Sequence, residues 1–178
     1  MRVCINAGHG KKDNGAYDPG AIGQKGVKEA WQNVEVAKLM KPILEKAGWV
    51  VLLIQDGDLP DIVTASNAFF TDYFISVHCN SASDHTAHGI ETYAYKAGGK
   101  GEKLAKAIQK ELVKATGLTD RGVKFANFFV LRKTLCPAVL VETAFVSNPA
   151  EERLMMNQEY DEKVAKAICD GFMKGVKS

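Results

Sequence analysis

Short apolar runs alternate with amphipathic helical stretches along this chain, and that alternation restricts it to a sheet layered between helices. Residues 49–54 and 73–78 are almost continuously apolar, as is Pro137-Ala138-Val139-Leu140-Val141. Uninterrupted runs of this kind suit strands covered on both faces, the signature of parallel pairing. Between them, 27–46 carries Val27, Trp31, Val34, Ala37, Met40 and Leu44 at three- and four-residue steps, which predicts one buried helical face. Pro42 is expected to kink or shorten that helix, and Gly48 to end it in a left-handed cap. Further helices are predicted over 61–70, 100–116 and 160–173, and further strands over 2–6, 89–95, 128–131 and 138–141. No helix separates 73–78 from 89–95, so one of these two strands is expected to run antiparallel. The expected fold is a single three-layer α/β domain over 1–178, with a twisted, mostly parallel sheet of about six strands and helices on both faces.

Composition narrows the function by exclusion. A net charge of +2 is too small to argue for nucleic acid. No window approaches the ~20 apolar residues of a membrane helix. The apolar stretch at 1–6 is shorter than a secretory leader's core and no small-residue cleavage site follows it, so synthesis in the cytoplasm is expected. Cys4, Cys79, Cys136 and Cys169 are scattered without a paired spacing, which predicts reduced, mostly buried thiols.

Polar residues at strand ends carry the chemistry. Ligands of such sheets bind beyond the carboxyl ends of strands. His9, between two glycines, follows the first strand, His78 closes the run 73–78, and Glu142 follows 138–141. If those strands are neighbours, the three side chains converge. Two histidines and a carboxylate make a catalytic zinc set with a position left open. A hydrogen-bonded loop or core role is the alternative for either histidine. Glu29 opens the long helix, where an acid also favours the helix dipole. Glu142 ends a strand so apolar that its carboxylate is either ion-paired, with Arg132 or Lys133, or kept near neutrality as a general base. His85 and His88 read as loop residues facing solvent. Cys79 adjoins His78, yet consecutive strand residues face opposite ways and so do not share one metal.

Five segments in order resemble the zinc-dependent N-acetylmuramoyl-L-alanine amidases of the type-three catalytic domain. They are Asn6-Ala7-Gly8-His9-Gly10, Asp18-Pro19-Gly20-Ala21 with Gly26-Val27-Lys28-Glu29, Phe74-Ile75-Ser76-Val77-His78-Cys79-Asn80, Gly89-Ile90-Glu91-Thr92-Tyr93, and the run from Pro137 through Glu142-Thr143-Ala144-Phe145-Val146-Ser147-Asn148-Pro149. The resemblance implies one Zn²⁺ per chain held by His9, Glu29 and His78, with Glu142 catalytic and peptidoglycan as substrate. Asn80, beside His78, is expected to orient substrate or the metal's ligands. A monomer that neither binds nucleic acid nor enters a membrane is expected, acting on the wall after release or lysis as a phage endolysin or sporulation autolysin does. Two departures stand out: 63–68 lacks the arginine usual in the family, and the loop between His9 and Asp18 is long.

Overall fold

The computed structural model describes residues 1–177. Eight strands and six helices are present among them. In chain order these are β1 (Arg2–Ala7), β2 (Gly10–Lys11), β3 (Tyr17–Asp18), α1 (Glu29–Lys46), β4 (Val50–Ile54), α2 (Leu59–Ala68), β5 (Tyr73–Asn80), β6 (Ile90–Ala94), α3 (Lys100–Thr116), β7 (Asp120–Phe125), α4 (Phe129–Lys133), β8 (Ala138–Phe145), α5 (Pro149–Met155) and α6 (Gln158–Val176). Six strands form one sheet in the order β4-β1-β5-β8-β6-β7, and β2 pairs with β3 as a separate hairpin. β4, β1, β5 and β8 are mutually parallel, and β6 pairs antiparallel to β8 and parallel to β7. Both the mostly parallel sheet and the reversed strand after 73–78 are therefore as expected.

Period-two alternation sorts the strand residues into two cores. Val3, Ile5, Ile75, Val77, Val139 and Val141 pack with residues of α1, α3 and α6. Cys4, Phe74, Ala138 and Leu140 pack on the opposite face with Ile62 and Val63 of α2 and Val130 and Leu131 of α4. Asn6, Ser76, His78 and Glu142 continue the second set towards the carboxyl ends. At the sheet's end the α2/α4 face thus changes from apolar to polar. No described helix is long and apolar enough to cross a membrane. Cys4, Cys79 and Cys169 are buried, Cys136 is half-buried, and all four are free thiols.

Several local expectations need correction. Residues 129–131 belong to the short helix α4, with Phe128 at its N-cap, rather than to a strand, because four apolar residues carry no period that separates the two. β7 was not foreseen: Asp120-Arg121-Gly122-Val123-Lys124-Phe125 is a half-exposed edge strand, polar as edges tend to be. α5 was missed as well, although Asn148 caps it by accepting from the Ala150 and Glu151 amides. Pro42 lies inside α1 without ending it. Trp31 does not join the buried stripe of that helix; it is 60% exposed, and Glu29, Gln32 and Asn33 are buried instead.

Candidate metal centre

His9, Glu29 and His78 come together from three different elements, and their nearest donor atoms all lie within 4.8 Å of one another. β1 and β5 are neighbours, so their ends deliver His9 and His78 side by side, with ring centres 5.4 Å apart. Glu29 begins α1, which crosses these ends; no side chain caps the helix. The preceding loop does so instead, since the Glu29 and Ala30 amides donate to the carbonyls of Ala21 and Pro19. Glu152, a buried carboxylate on α5, accepts from the Lys25 and Val27 amides and holds that loop.

The backbone at His9 is strained to fit. Its φ of 65° is in the left-handed region that non-glycine residues avoid, a cost tolerated mainly at working sites. Gly8 meets a different demand: a β-carbon there would overlap the imidazole of His78. Asn33, fully buried one turn beyond Glu29, donates to the Gly8 carbonyl at 3.0 Å and accepts from the Cys79 thiol. One amide thus ties together the segments that carry all three residues. Cys79 itself faces away from His78 into the α1 core, as strand alternation required.

Each imidazole uses one nitrogen to hold its orientation and turns the other inward. His9 Nδ1 lies 3.1 Å from Asp18 Oδ2, leaving Nε2 3.3 Å from Glu29 Oε1. His78 Nε2 lies 3.1 Å from the Ser76 hydroxyl, leaving Nδ1 3.0 Å from the same Oε1. The Ser76 hydroxyl in turn donates to Asn6 Oδ1. Hydrogen bonding to Glu29, against burial, pushes the His9 pKa up to about 9. Burial acts to raise the Glu29 carboxyl, but hydrogen bonds from His78 and His9 outweigh it and hold Glu29 far below the usual carboxylate range. A proton on His9 occupies the place a cation would take, so metal and proton compete there.

Glu142 lies opposite His78 in the β5–β8 register. Its Oε2 is fully covered and has no hydrogen-bond partner. Burial first, then the negative charges of Glu29 and Glu91, push its pKa up to about 8. Neither Arg132 nor Lys133 pairs with it among the described residues; Arg132 instead lies over the Phe129 ring. Of the two sequence alternatives, the ion pair is thus absent.

These observations test whether a divalent cation suits the cluster. Two inward nitrogens and one carboxylate oxygen converge, their outer atoms are already engaged, and a buried carboxylate oxygen nearby lacks any positive partner. That donor set and its open side match what zinc takes at catalytic sites. A groove of about 720 Å³ opens over the cluster. Asn6, His9, Ser76, His78 and Glu142 are among its lining on the polar side, and Leu59, Pro60, Phe128, Phe129 and Val130 make an apolar wall from α2 and α4.

The N-acetylmuramoyl-L-alanine amidase family matches residues 3–174. The chain belongs to that family. Among curated relatives it is 35% identical to the N-acetylmuramoyl-L-alanine amidase LytC of Bacillus subtilis (strain 168), over 95% of this chain and 34% of LytC. Among solved structures, AmiC2 of Nostoc punctiforme superposes with a TM-score of 0.91 at 28% identity, covering 100% of this chain and 98% of that one. The catalytic domain of CwlV from Bacillus (Paenibacillus) polymyxa var. colistinus gives 0.89 at 32%, covering 99% and 98%. The chain spans about a third to a little over half of the first curated relatives it matches.

Not every site residue was foreseen. Asn80 follows a register shift in β5 and does not line the groove; its amide donates to Glu91 at 2.7 Å. Glu91, quoted only within a motif, is a buried hub beside Glu142 in the β6–β8 register. Tyr93 and Asn80 donate to its Oε1, and Arg121 and Lys124 to its Oε2 at 2.6 and 2.5 Å. Burial works against ionisation here, but Lys124, Tyr93 and Arg121 hold its pKa at about 2. An acid inside the apolar strand Ile90–Ala94 was the available signal. Asp18 too is quoted only within a motif, and its bond to His9 has no local mark. His85 and His88 are exposed, as expected.

Proposed function

We propose that the chain hydrolyses the amide between N-acetylmuramic acid and the L-alanine of the stem peptide in bacterial peptidoglycan. One zinc ion would be held by His9, Glu29 and His78. The observation that carries this reading is the uncommitted, covered carboxylate oxygen of Glu142 on the floor of a groove beside an inward-facing His–Glu–His set. Membership of the amidase family supports the same bond as target.

The chemistry that zinc supplies when bound is Lewis acidity, which polarises the scissile carbonyl and lowers the pKa of the attacking water towards neutrality. Glu142 takes a proton from that water and passes it to the departing amine of alanine. A carboxyl with a raised pKa suits both transfers, because it gives up its proton as readily as it accepts one near neutral pH. Asp18 and Ser76 hold the two imidazoles in one tautomer and one orientation. Leu59, Pro60 and Phe128 exclude water from the apolar side of the groove. Asn80 acts at one remove, by holding Glu91 and so the buried charge beside Glu142.

The test is metal analysis of the purified protein together with mass spectrometry of digested muropeptides. New L-alanine amino termini without new reducing sugar ends are expected, with about one zinc per chain. Cleavage inside the stem peptide would make the chain a zinc peptidase, and binding to sacculi without cleavage would make it a wall-binding module.

A further inference from the structure

Beside the metal centre, two large aromatic side chains stand on the surface. Trp31 is 60% exposed and Tyr17 is 48% exposed. Both are anchored close to the site: Trp31 stands two residues beyond Glu29 on α1, and Tyr17 precedes Asp18 on β3. The Lys28 ammonium lies 4.9 Å from the Trp31 ring centre and 6.0 Å from that of Tyr17, near enough to hold the two rings by cation–π attraction. Trp31 and Tyr17, with Val34, Glu35, Lys38 and Gln55, line an open depression of about 440 Å³. Gln55 also lines the main groove, and its amide is fixed by donating to the Ala30 carbonyl at 2.9 Å. The depression thus lies beside the groove, with Gln55 forming the wall between them.

The chemistry of this shelf is two-sided. Aromatic surface is rimmed by a carboxylate, ammonium groups and an amide, all able to exchange hydrogen bonds with a ligand's edge. A pyranose ring matches it, with C–H groups on its face and hydroxyls around its rim. Openness matters as well: a glycan strand continues past the enzyme in both directions, whereas a stem peptide ends and can lie in the deeper groove.

We propose that Tyr17 and Trp31 form a saccharide subsite that takes a sugar ring of the glycan strand next to the muramic acid whose amide is cut. This rests on the amidase reading for its substrate class, and the shelf sets a preference for polymeric wall over short muramoyl peptides. Contacts to a sugar ring that takes no part in the bond cleavage act on binding, so their loss is read in KM while kcat is kept.

Tryptophan emission reads the shelf directly. The chain has two tryptophans, and the other, Trp49, is only 9% exposed. Peptide-free oligosaccharides of alternating N-acetylglucosamine and N-acetylmuramic acid, titrated into the zinc-loaded protein, are expected to change its emission saturably. The change should persist after chelation of zinc and vanish in Trp31→Ala. Trp31→Ala and Tyr17→Ala are each expected to raise KM on purified peptidoglycan about tenfold. Neither should alter hydrolysis of muramoyl dipeptide, which has no neighbouring sugar, and Trp31→Phe should recover most of the loss. An unchanged emission at millimolar oligosaccharide, or equal KM increases on both substrates, overturns the subsite. Cleavage of wall with no emission change sinks the subsite alone. Saturable binding through Trp31 without cleavage of either substrate leaves the subsite standing and removes the amidase reading.

Discussion

Glu142→Gln in the zinc-stripped protein separates burial from chemistry. The folded carboxyl has a pKa of about 8, against an ordinary value of 4.5. Between those values the folded state binds more protons than the unfolded one, so the ionisable side chain costs increasing stability as pH rises through that window. At 1.36 kcal/mol per pH unit the cost is on the order of 3 kcal/mol at pH 7 and 5 kcal/mol well above pH 8. Glutamine keeps the shape and cannot ionise. Its amide has a burial cost of its own, but one that does not change with pH, so the slope isolates the carboxylate. For a chain this size 3 kcal/mol corresponds to about 6–12 °C in Tm. Thermal unfolding of both proteins from pH 5 to 9 should show the variant gaining on the wild type by about 5–10 °C between pH 5 and 7, part of the cost being present already at pH 5, with further gain to pH 9. Parallel curves would refute the burial argument. The zinc-loaded variant should keep its metal and lose at least about a hundredfold in turnover on purified wall. Near-full turnover would refute the proton-transfer role.

Asp18→Ala frees the outer nitrogen of His9 and should weaken zinc binding about 10–100-fold, measured by competition with a chelator; unchanged affinity would mean the Asp18–His9 bond does not matter to the centre. Gly8→Ala places a methyl against the His78 ring, and should cost about tenfold or more in zinc affinity in the same assay, while far-UV circular dichroism stays the same. Glu91→Gln leaves Arg121 and Lys124 without their carboxylate, an expected loss of about 1–3 kcal/mol at pH 7 in urea unfolding. Because the Glu91 pKa is lowered to about 2, its contribution is complete above the ordinary carboxyl range near 4.5 and fades as pH falls towards 2. The wild type and Glu91→Gln should therefore converge in stability between pH 5 and 2.

Much of the architecture was legible because its signals are local. The runs at 49–54, 73–78 and 138–141 have the length and apolarity of covered strands, and 100–116 has a helical period with Gly117 to close it at φ 70°. His9 and His78 were legible for a similar reason, as polar residues standing where apolar runs end, whereas Glu29, at the start of a helix, was marked as a ligand only by the family resemblance. Where such signals were weak, reading failed. The polar edge strand β7 lacked apolar contrast, and the four residues 128–131 were too few to show a period.

Trp31 shows where linear pattern gives out. Periodicity puts the largest apolar side chain on the buried face of its helix, but the first turns of α1 cover the ends of β1 and β5, which are polar. There Glu29, Gln32 and Asn33 find buried partners and the tryptophan is turned outward. Chain order and hydrophobic period thus sufficed for the layers and for which residues end the strands. The meeting of His9 and His78 with Glu29, the pairing of Glu91 with Arg121 and Lys124, and the burial of Glu142 depended on strand order and helix placement, because hydrogen bonds and electric fields act through space between residues that stand far apart in the sequence.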